Sequence, residues 1–349
     1  MSWQEIVRSL AHRTERGFDR RRRPRAGVPV IIPYRGFGKA GELMVRGRVL
    51  MEKRITRARE AEPVWRNVLN TYRRFQSDEV AGAKVRAMYR DAVVETVTDE
   101  EGHFQIRLES SLLDADSLWQ EVGLMLSGGQ APVAAHVLVP PPDAQFGIIS
   151  DIDDTIVKTG ATSLKEMIRT VMLSNAAQRT PFEHVADLYR ALHAERNPLF
   201  YVSSGPWNLY ELIHDYLDIH GIPHGPIFLQ DWGLDEVTLI TRPHEEHKLA
   251  QIQAIFDYYP TLPFLLIGDS GQHDPEIYLK AIQANPGRVK LAIIRDVSAD
   301  IRDRAVSAIA DEVRAAGSEM IFVEELRPEL ASTLLPQRRL GERRSRSDG

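Results

Sequence analysis

The strongest constraint on the fold is an alternation of short apolar runs with amphipathic segments in the second half of the chain. The strand-like runs are "FGIIS", "PLFYVSS", "GPIFL", "LPFLLIG" and "VKLAIIRDV". Helical patterns such as "PWNLYELIHDYLDIHG" and "EEHKLAQIQAIFDYYP" lie between them. Continuous apolar strands that alternate with helices are typical of a parallel β-sheet covered by helices on both faces. Residues 143–327 are therefore predicted to form an α/β domain.

The preceding region, residues 28–142, has shorter and more regularly spaced apolar runs. "VPVIIPYRG", "ELMVRGRVLME" and "VAAHVLVPP" are bounded by turn residues and indicate β-strands. "TVTDEEGHFQIRL" alternates around an acidic-glycine turn, which favours a hairpin. These patterns predict a small β-rich accessory domain with the arrangement of a β-sandwich.

Both ends of the chain are basic. Residues 1–27 combine helical spacing of apolar residues with the run "RGFDRRRRPR". Such a run is either a solvated segment or, within residues 1–25, a contact with anionic lipid headgroups. Residues 328–349 are polar and basic and are predicted to be a disordered tail.

Composition excludes several classes of protein. The chain has no cysteine, which rules out disulfides, thiolate catalysis and cysteine zinc sites. A net charge of −5 does not predict a nucleic-acid partner. No apolar run approaches the ~20 residues that a bilayer crossing needs, and the N-terminus lacks the apolar core of a signal peptide. A cytoplasmic protein, with peripheral membrane contact as an alternative, is the expectation.

Three aspartates follow the first strand of the α/β region, in "SDIDDT". Asp151 and Asp153 are two apart, so in an extended chain their side chains point the same way. Two close carboxylates repel, and such a pair favours a bound cation or a shared proton. The alternative is an acidic loop that caps a helix or faces water. Asp154 should point away from the other two and fits a helix cap or a salt bridge.

Polar side chains that are candidates for a functional site also follow the later strands. The segment "YVSSGPW" ends a strand with hydroxyls and free backbone N–H groups, which suit a phosphoryl group or an ordinary helix cap. Lys248 lies near a helix start, where a cation opposes the helix dipole. "GDSGQHD" places Asp269 and Asp274 after an apolar strand. Ligands of such sheets bind beyond the carboxyl ends of the strands, so these groups are expected to meet there.

Taken in order, these motifs resemble a known superfamily. D-x-D-x-T, then Ser, Lys and G-D-x4-D, over residues 146–296, resemble the haloacid-dehalogenase superfamily of aspartate-nucleophile phosphatases. The strings "SDIDDTIVKTG", "YVSSGPWNLY" and "IGDSGQHDPEIY" are similar to the catalytic domain of the actin-patch-type phosphatidate phosphatases, relatives of the lipins. The resemblance implies a haloacid-dehalogenase-like Rossmannoid sheet.

The resemblance also implies roles for the acidic residues and Lys248. Asp151 would be the nucleophile that becomes an aspartyl-phosphate, and Asp153 the general acid and base. Lys248 would neutralise the nucleophile and the intermediate. Mg²⁺ would be held by Asp151, by the backbone carbonyl of Asp153 and by Asp269. Asp274 would orient Lys248 or a water at the metal.

The remaining implied residues bind phosphate or shape the site. They are Thr155, Ser203, Ser204, Gly205 and Trp207. Ser203 would hydrogen-bond the phosphoryl group with help from Ser204 or Gly205, while Thr155 would fix the loop. Trp207 would be either a substrate platform or a buried anchor at the helix start.

These expectations lead to three hypotheses for function. The first is a Mg²⁺-dependent phosphatidate phosphatase that produces diacylglycerol and phosphate. The second is the same chemistry on another phosphomonoester, a soluble metabolite or a phosphoprotein. The third is a lipid-binding scaffold with an idle site. Residues 161–197 are too few for a full cap domain, and the open site that this predicts suits a large or membrane-embedded substrate.

Overall fold

The computed structural model describes most of the two predicted domains. The described residues are 27–52, 79–114, 117–128, 131–152, 155–156, 184–194, 196–230, 244–271, 273–297 and 303–334. The predictions made for Asp153, Asp154 and residues 1–25 lie outside these ranges.

The β-rich region forms one seven-stranded sheet in the order β4-β3-β6-β7-β1-β2-β5. The strands are β1 Val28–Lys39, β2 Glu42–Glu52, β3 Lys84–Tyr89, β4 Ala92–Val97, β5 His103–Glu109, β6 Trp119–Leu126 and β7 Val133–Leu138. The β1–β7 pair is parallel and the other neighbours are antiparallel. The end strands β4 and β5 lie against each other, so the sheet curls into a nearly closed barrel.

A barrel-like sheet replaces the predicted sandwich of two sheets. Strands β3, β5 and β6 bury alternate residues, as Val85, Ala87 and Tyr89 show on β3. The inward residues of the strands meet in one core that includes Val45, Ile106 and Leu124. A curled sheet and a sandwich both bury one face of every strand, so their alternation patterns are the same.

The second region is an α/β domain whose sheet has the order β10-β9-β8-β11-β12-β13, and every neighbouring pair is parallel. The strands are β8 Gly147–Asp151, β9 Leu199–Pro206, β10 Ile227–Gln230, β11 Phe264–Asp269, β12 Val289–Arg295 and β13 Met320–Val323. The helices are α1 Val185–His193, α2 Tyr210–Ile219, α3 His244–Tyr258, α4 Asp274–Ala284, α5 Asp303–Ala315 and α6 Glu329–Leu334. No helix within the described ranges has the length and hydropathy that a bilayer crossing requires.

The parallel sheet is buried on both faces, which confirms the predicted α/β architecture. On β9, Leu199 and Tyr201 face the core formed with α1 and α2. Phe200 and Val202 face the opposite core, formed with α3, α4 and α5. Because both faces are covered, the strands are almost continuously apolar, and this made them recognisable in the sequence.

The sequence patterns did not predict two short elements near the end of the domain. Strand β13 has four residues flanked by glutamates, too few for a clear pattern. Helix α6 begins at Glu329, inside the segment that was predicted as a disordered tail from residue 328. Its Ala331 and the preceding Leu326 are buried in the core shared with α1, and this tertiary packing orders a segment whose composition is polar.

The strand order also fixes where a ligand can bind. The chain proceeds outward from β8 to β9 and β10, and then returns to place β11 on the other side of β8. Connections leave β8 and β11 toward opposite faces of such a sheet, which opens a crevice at their carboxyl ends. Asp151 and Asp269 are the last residues of these two strands.

Substitution of Gly225, which lies just before β10, tests how tightly the edge of this sheet is packed. A Cβ atom at this position would overlap the carbonyl oxygen of Leu199. We expect Gly225→Ala to lower the free energy of unfolding by about 1–3 kcal/mol, since backbone must shift to relieve the overlap. Urea denaturation measures the change. Gly123→Ala is the matched control because its nearest atoms are 3.7 Å away, and equal losses in both variants would contradict the prediction.

Candidate active site

Five buried polar side chains meet at the carboxyl edge of the parallel sheet. Asp151 ends β8, Ser203 lies near the end of β9 and Asp269 ends β11. Lys248 lies within the first two turns of α3, and Asp274 is the first residue of α4. Each of the five is at most 3% exposed. The strand-end groups predicted from the sequence therefore lie in one place.

Lys248 is the centre of this cluster. Its Nζ lies 2.7 Å from Oδ1 of Asp151 and also forms an ion pair with Asp274. Burial lowers the pKa of Lys248, but the two carboxylates outweigh burial and hold that pKa above its usual value. The side chain is therefore a fixed positive charge between two aspartates.

The turn after β11 holds its two aspartates by backbone hydrogen bonds. The N–H of Asp269 donates to Oδ2 of Asp274 over 3.2 Å, and the N–H of Gly271 donates to Oδ1 of Asp269 over 2.7 Å. A Cβ atom on Gly268 would overlap the Asp274 carboxyl group. The glycine of the G-D-x4-D motif is thus required by this close approach.

The three carboxylates form a group that suits a hard cation. Asp151, Asp269 and Asp274 each offer an oxygen atom, and these atoms lie within 4.8 Å of one another. Lys248 pairs with two of the three carboxylates, those of Asp151 and Asp274. Carboxylate oxygens are the ligands that Mg²⁺ and Ca²⁺ prefer. The residues present therefore fit a divalent cation, whose identity they do not fix.

The hydroxyl residues line the same edge. Ser203 is buried and its Oγ accepts a hydrogen bond of 3.0 Å from the N–H of Gly205. Ser204 is half-buried. Thr155 is buried, and its Oγ1 lies 3.5 Å from Oδ2 of Asp151. The structure therefore places Thr155 beside the predicted nucleophile, and Ser203 directly after Val202, which pairs with Asp151 across β8 and β9.

Trp207 points elsewhere, into the junction between the two domains. Its ring stacks on Tyr34 of β1, with centroids 5.3 Å apart and an interplanar angle of 10°. It also stacks on Tyr210 and packs against the core beneath α2. This packing favours the buried-anchor interpretation over the substrate platform.

A buried hydroxyl pair behind Asp151 was not found in the sequence. The hydroxyl of Ser150 donates to the carbonyl of Asp151 over 2.7 Å and lies 2.6 Å from the phenol of Tyr189. Tyr189 is on α1, and burial raises its pKa, so the phenol stays protonated. The amphipathic spacing of α1 explains Tyr189 as a core residue and gives no sign of this bond.

Comparisons with known proteins show that this region is similar to a phosphatase catalytic domain. Residues 146–296 match the family described as the catalytic domain of phosphatidate phosphatase APP1. The resemblance to the actin-patch-type phosphatidate phosphatases is therefore confirmed over this region.

Two curated fungal proteins are similar to the chain. Phosphatidate phosphatase APP1 of Saccharomyces cerevisiae is 30% identical over 196 residues, which are 56% of this chain and 33% of that protein. An uncharacterized protein of Schizosaccharomyces pombe is 26% identical over 156 residues, 44% of this chain and 26% of that protein. The chain thus spans about a third or less of the length of these relatives.

Among solved structures, the chain matches a carbohydrate acetylesterase from Xanthomonas citri. The identity is 12%, the TM-score is 0.30, and the match covers 83% of this chain and 75% of that one. A likeness this weak carries no argument about fold or function.

The charge balance of the cluster predicts a large effect of removing Lys248. Lys248→Met would remove the ammonium group that pairs with both Asp151 and Asp274, and we expect the free energy of unfolding in EDTA to fall by about 3–5 kcal/mol, the usual cost of breaking a buried ion pair. Urea denaturation at neutral pH measures it. Lys290→Met, at an exposed lysine on the same domain, is the control and should change little. Similar stabilities for wild type and Lys248→Met would show that the cluster does not depend on this charge.

Proposed function

We propose that this chain is a phosphatase of the haloacid-dehalogenase type that hydrolyses phosphatidate to diacylglycerol and phosphate. The observation that carries the proposal is the buried pairing of Asp151 with Lys248 beside Asp269, at the switch point of a parallel sheet. The strand order, stepping outward from β8 and then outward from β11, is that of a Rossmann-like sheet.

In the first step a carboxylate oxygen of Asp151 attacks phosphorus in line with the ester bond. The new O–P bond forms as the P–O bond to the glycerol oxygen breaks, and the bonding electrons leave with that oxygen. Asp153 gives its proton to the departing alkoxide, so that diacylglycerol is released and Asp151 carries the phosphoryl group. Covalent catalysis of this kind divides one difficult displacement into two easier ones.

In the second step water hydrolyses the aspartyl-phosphate. The oxygen of water attacks phosphorus while Asp153 takes up its proton, and the bond between phosphorus and the Asp151 oxygen breaks. Phosphate and the free carboxylate are the products, and Asp153 is protonated again for the next cycle. General acid–base catalysis of this kind is worth ~10²–10⁴-fold.

Fixed charges in the site support both displacements. Lys248 lies against the attacking carboxylate and reduces its repulsion by the phosphate dianion. Mg²⁺, when bound, would supply further positive charge between these anions, held by Asp151, Asp269 and the backbone carbonyl of Asp153. Asp274 already binds Lys248 and the N–H of Asp269, which suits a positioning role.

The segment after β9 is proposed to hold the phosphoryl group. The Ser203 hydroxyl lies at the strand end with Ser204 and Gly205 following it, just before the turn that leads into α2. Hydroxyl and backbone N–H donors at such a position suit phosphate oxygens. Thr155 supports the Asp151 side of the same site.

Phosphatidate is proposed as the substrate because of the named activity of the yeast relative. Hydrolysis of another phosphomonoester is the alternative chemistry. An idle scaffold is disfavoured, because a buried cluster of like charges is costly to keep without a function. We further propose a cytoplasmic protein that contacts membranes peripherally through the basic residues 1–25.

The test of the activity is release of inorganic phosphate from phosphatidate in mixed micelles, with Mg²⁺ and then with EDTA. We expect turnover that Mg²⁺ supports and EDTA abolishes. Asp151→Asn should reduce it by about 10³-fold or more, because the amide is a poor nucleophile. Asp187→Asn, at an exposed carboxylate on α1, is the matched control and should retain activity.

A soluble phosphomonoester assayed in parallel separates the alternatives. Turnover of the soluble ester alone would keep the chemistry and exclude phosphatidate. Vesicle binding without phosphate release from either substrate would favour the idle scaffold.

The proposed membrane contact predicts a specific effect of truncation. Deleting residues 1–25 should weaken co-sedimentation with vesicles that contain anionic phosphatidylserine by about tenfold or more, because each arginine near such a surface contributes ~1 kcal/mol. Deletion of the basic residues 337–349 is the matched control and should leave binding unchanged. Unchanged binding after the first deletion would exclude the contact.

A further inference from the structure

Strand β1 of the β-rich domain lies against the α/β domain and joins the two regions. Near its middle, Tyr34 packs in the core of the α/β domain. Farther along, Phe37 packs on Phe228 of β10, and the Gly38 carbonyl accepts a hydrogen bond of 3.0 Å from the Tyr259 phenol. Strand β1 therefore contributes several contacts to the junction.

Tyr34 is the residue of this strand that packs on Trp207 and Tyr210, which follow the proposed phosphate-binding segment. It is 5% exposed, and its ring lies 5.3 Å from Trp207 and 4.1 Å from Tyr210, measured between centroids. The neighbouring N–H of Arg35 donates to the Tyr210 phenol over 2.5 Å. The start of α2 is thus held by a ring and a backbone group of β1.

A second group of the β-rich domain holds Trp207 from strand β2. The guanidinium of Arg46 lies 5.4 Å from the Trp207 ring and 4.8 Å from the Phe228 ring, and it donates to the Ile227 carbonyl over 3.5 Å. Burial lowers the pKa of Arg46 to about 10, so it remains charged at neutral pH. A cation that is removed from water and lies over an aromatic ring is strongly attracted to that ring.

Trp207 is separated from the proposed phosphate-binding segment by a single residue. Strand β9 carries Ser203, Ser204 and Gly205 and ends at Pro206, and Trp207 opens the helical turn that follows. Leu209, in the same turn, is buried. With so short a connection, a displacement of the Trp207 ring moves the segment that presents Ser203.

We infer that Tyr34 is a positioning residue, through which the β-rich domain holds the phosphate-binding segment in place. The inference rests on the proposed function, because it assigns a role within the same site. The described contacts of Tyr34 are made by its ring. A phenylalanine at position 34 should therefore preserve this role, whereas an aliphatic side chain should not.

The experiment compares Tyr34→Leu and Tyr34→Phe with wild type in the full-length protein. Two quantities are measured: kcat and KM for phosphatidate with Mg²⁺, and the concentration of inorganic phosphate that gives half of its maximal stabilisation in thermal denaturation. Tyr34→Leu should lower kcat/KM by about 10- to 100-fold, as misplacement of a binding group by ~1 Å does. It should raise the half-maximal phosphate concentration by about tenfold, while Tyr34→Phe should match wild type in both.

Tyr258→Leu separates positioning from a general loss of the junction. Tyr258 contacts Phe37 of β1, with ring centroids 4.9 Å apart, and its phenol donates to Glu42 of β2 over 2.9 Å. It lies at the end of α3 opposite Lys248, away from the site. This variant should lower the melting temperature and leave phosphate binding and kcat/KM close to wild type.

The outcomes distinguish this inference from the proposed function. If the wild-type protein is active and Tyr34→Leu and Tyr258→Leu change phosphate binding equally, the positioning role alone would be overturned. A wild-type protein that neither binds phosphate nor releases it from any ester would overturn the proposed function and the inference together. If Tyr34→Leu does not fold, Tyr34→Met, which fills more of the volume, takes its place.

Discussion

The candidate site depends on one buried ammonium group, that of Lys248, between the carboxylates of Asp151 and Asp274. Charges removed from water are tolerated where they are paired and hydrogen-bonded. This pairing joins the start of α3 to the end of β8 and to the start of α4. These three elements are far apart in the sequence. The ion pairs are therefore both the electrostatic centre of the site and the contact that holds its parts in register.

The same cluster brings three carboxylates together, and the topology of the sheet explains why. Parallel strands β8 and β11 are neighbours, so the aspartates that end them must lie close together. Asp269 is held by the turn after β11 rather than by Lys248. Repulsion among these groups would favour protonation or a cation, and a phosphoryl-transfer site needs the cation. The proposed chemistry thus follows from the close approach of these carboxylates as much as from the motif.

The features of the fold and of the site that could be predicted are those that leave a local pattern in the sequence. A strand buried on both faces is apolar throughout, so the parallel sheet and the polar residues at its strand ends could be found from the sequence. A barrel-like sheet and a sandwich share one alternation pattern, so that choice could not be made. The contact of Tyr34 with Trp207 joins residues far apart in the chain, and neither residue has a local signal for it. Tertiary packing likewise orders α6, whose composition indicated a disordered tail.

The junction between the domains gives the β-rich region a physical role that its sequence does not suggest. Arg46 is charged and buried, and its described neighbours are the Phe37 ring of its own domain and, in the α/β domain, two aromatic rings and one carbonyl group. Separating the domains would expose Tyr34 and Trp207 to water and remove the rings from the guanidinium. Because burial of aromatic surface and cation–π contacts both favour the joined state, the two regions are expected to behave as one unit around the turn that follows Ser203. Residues 146–296 contain the chemical groups of the site, but the groups that brace this turn lie outside them.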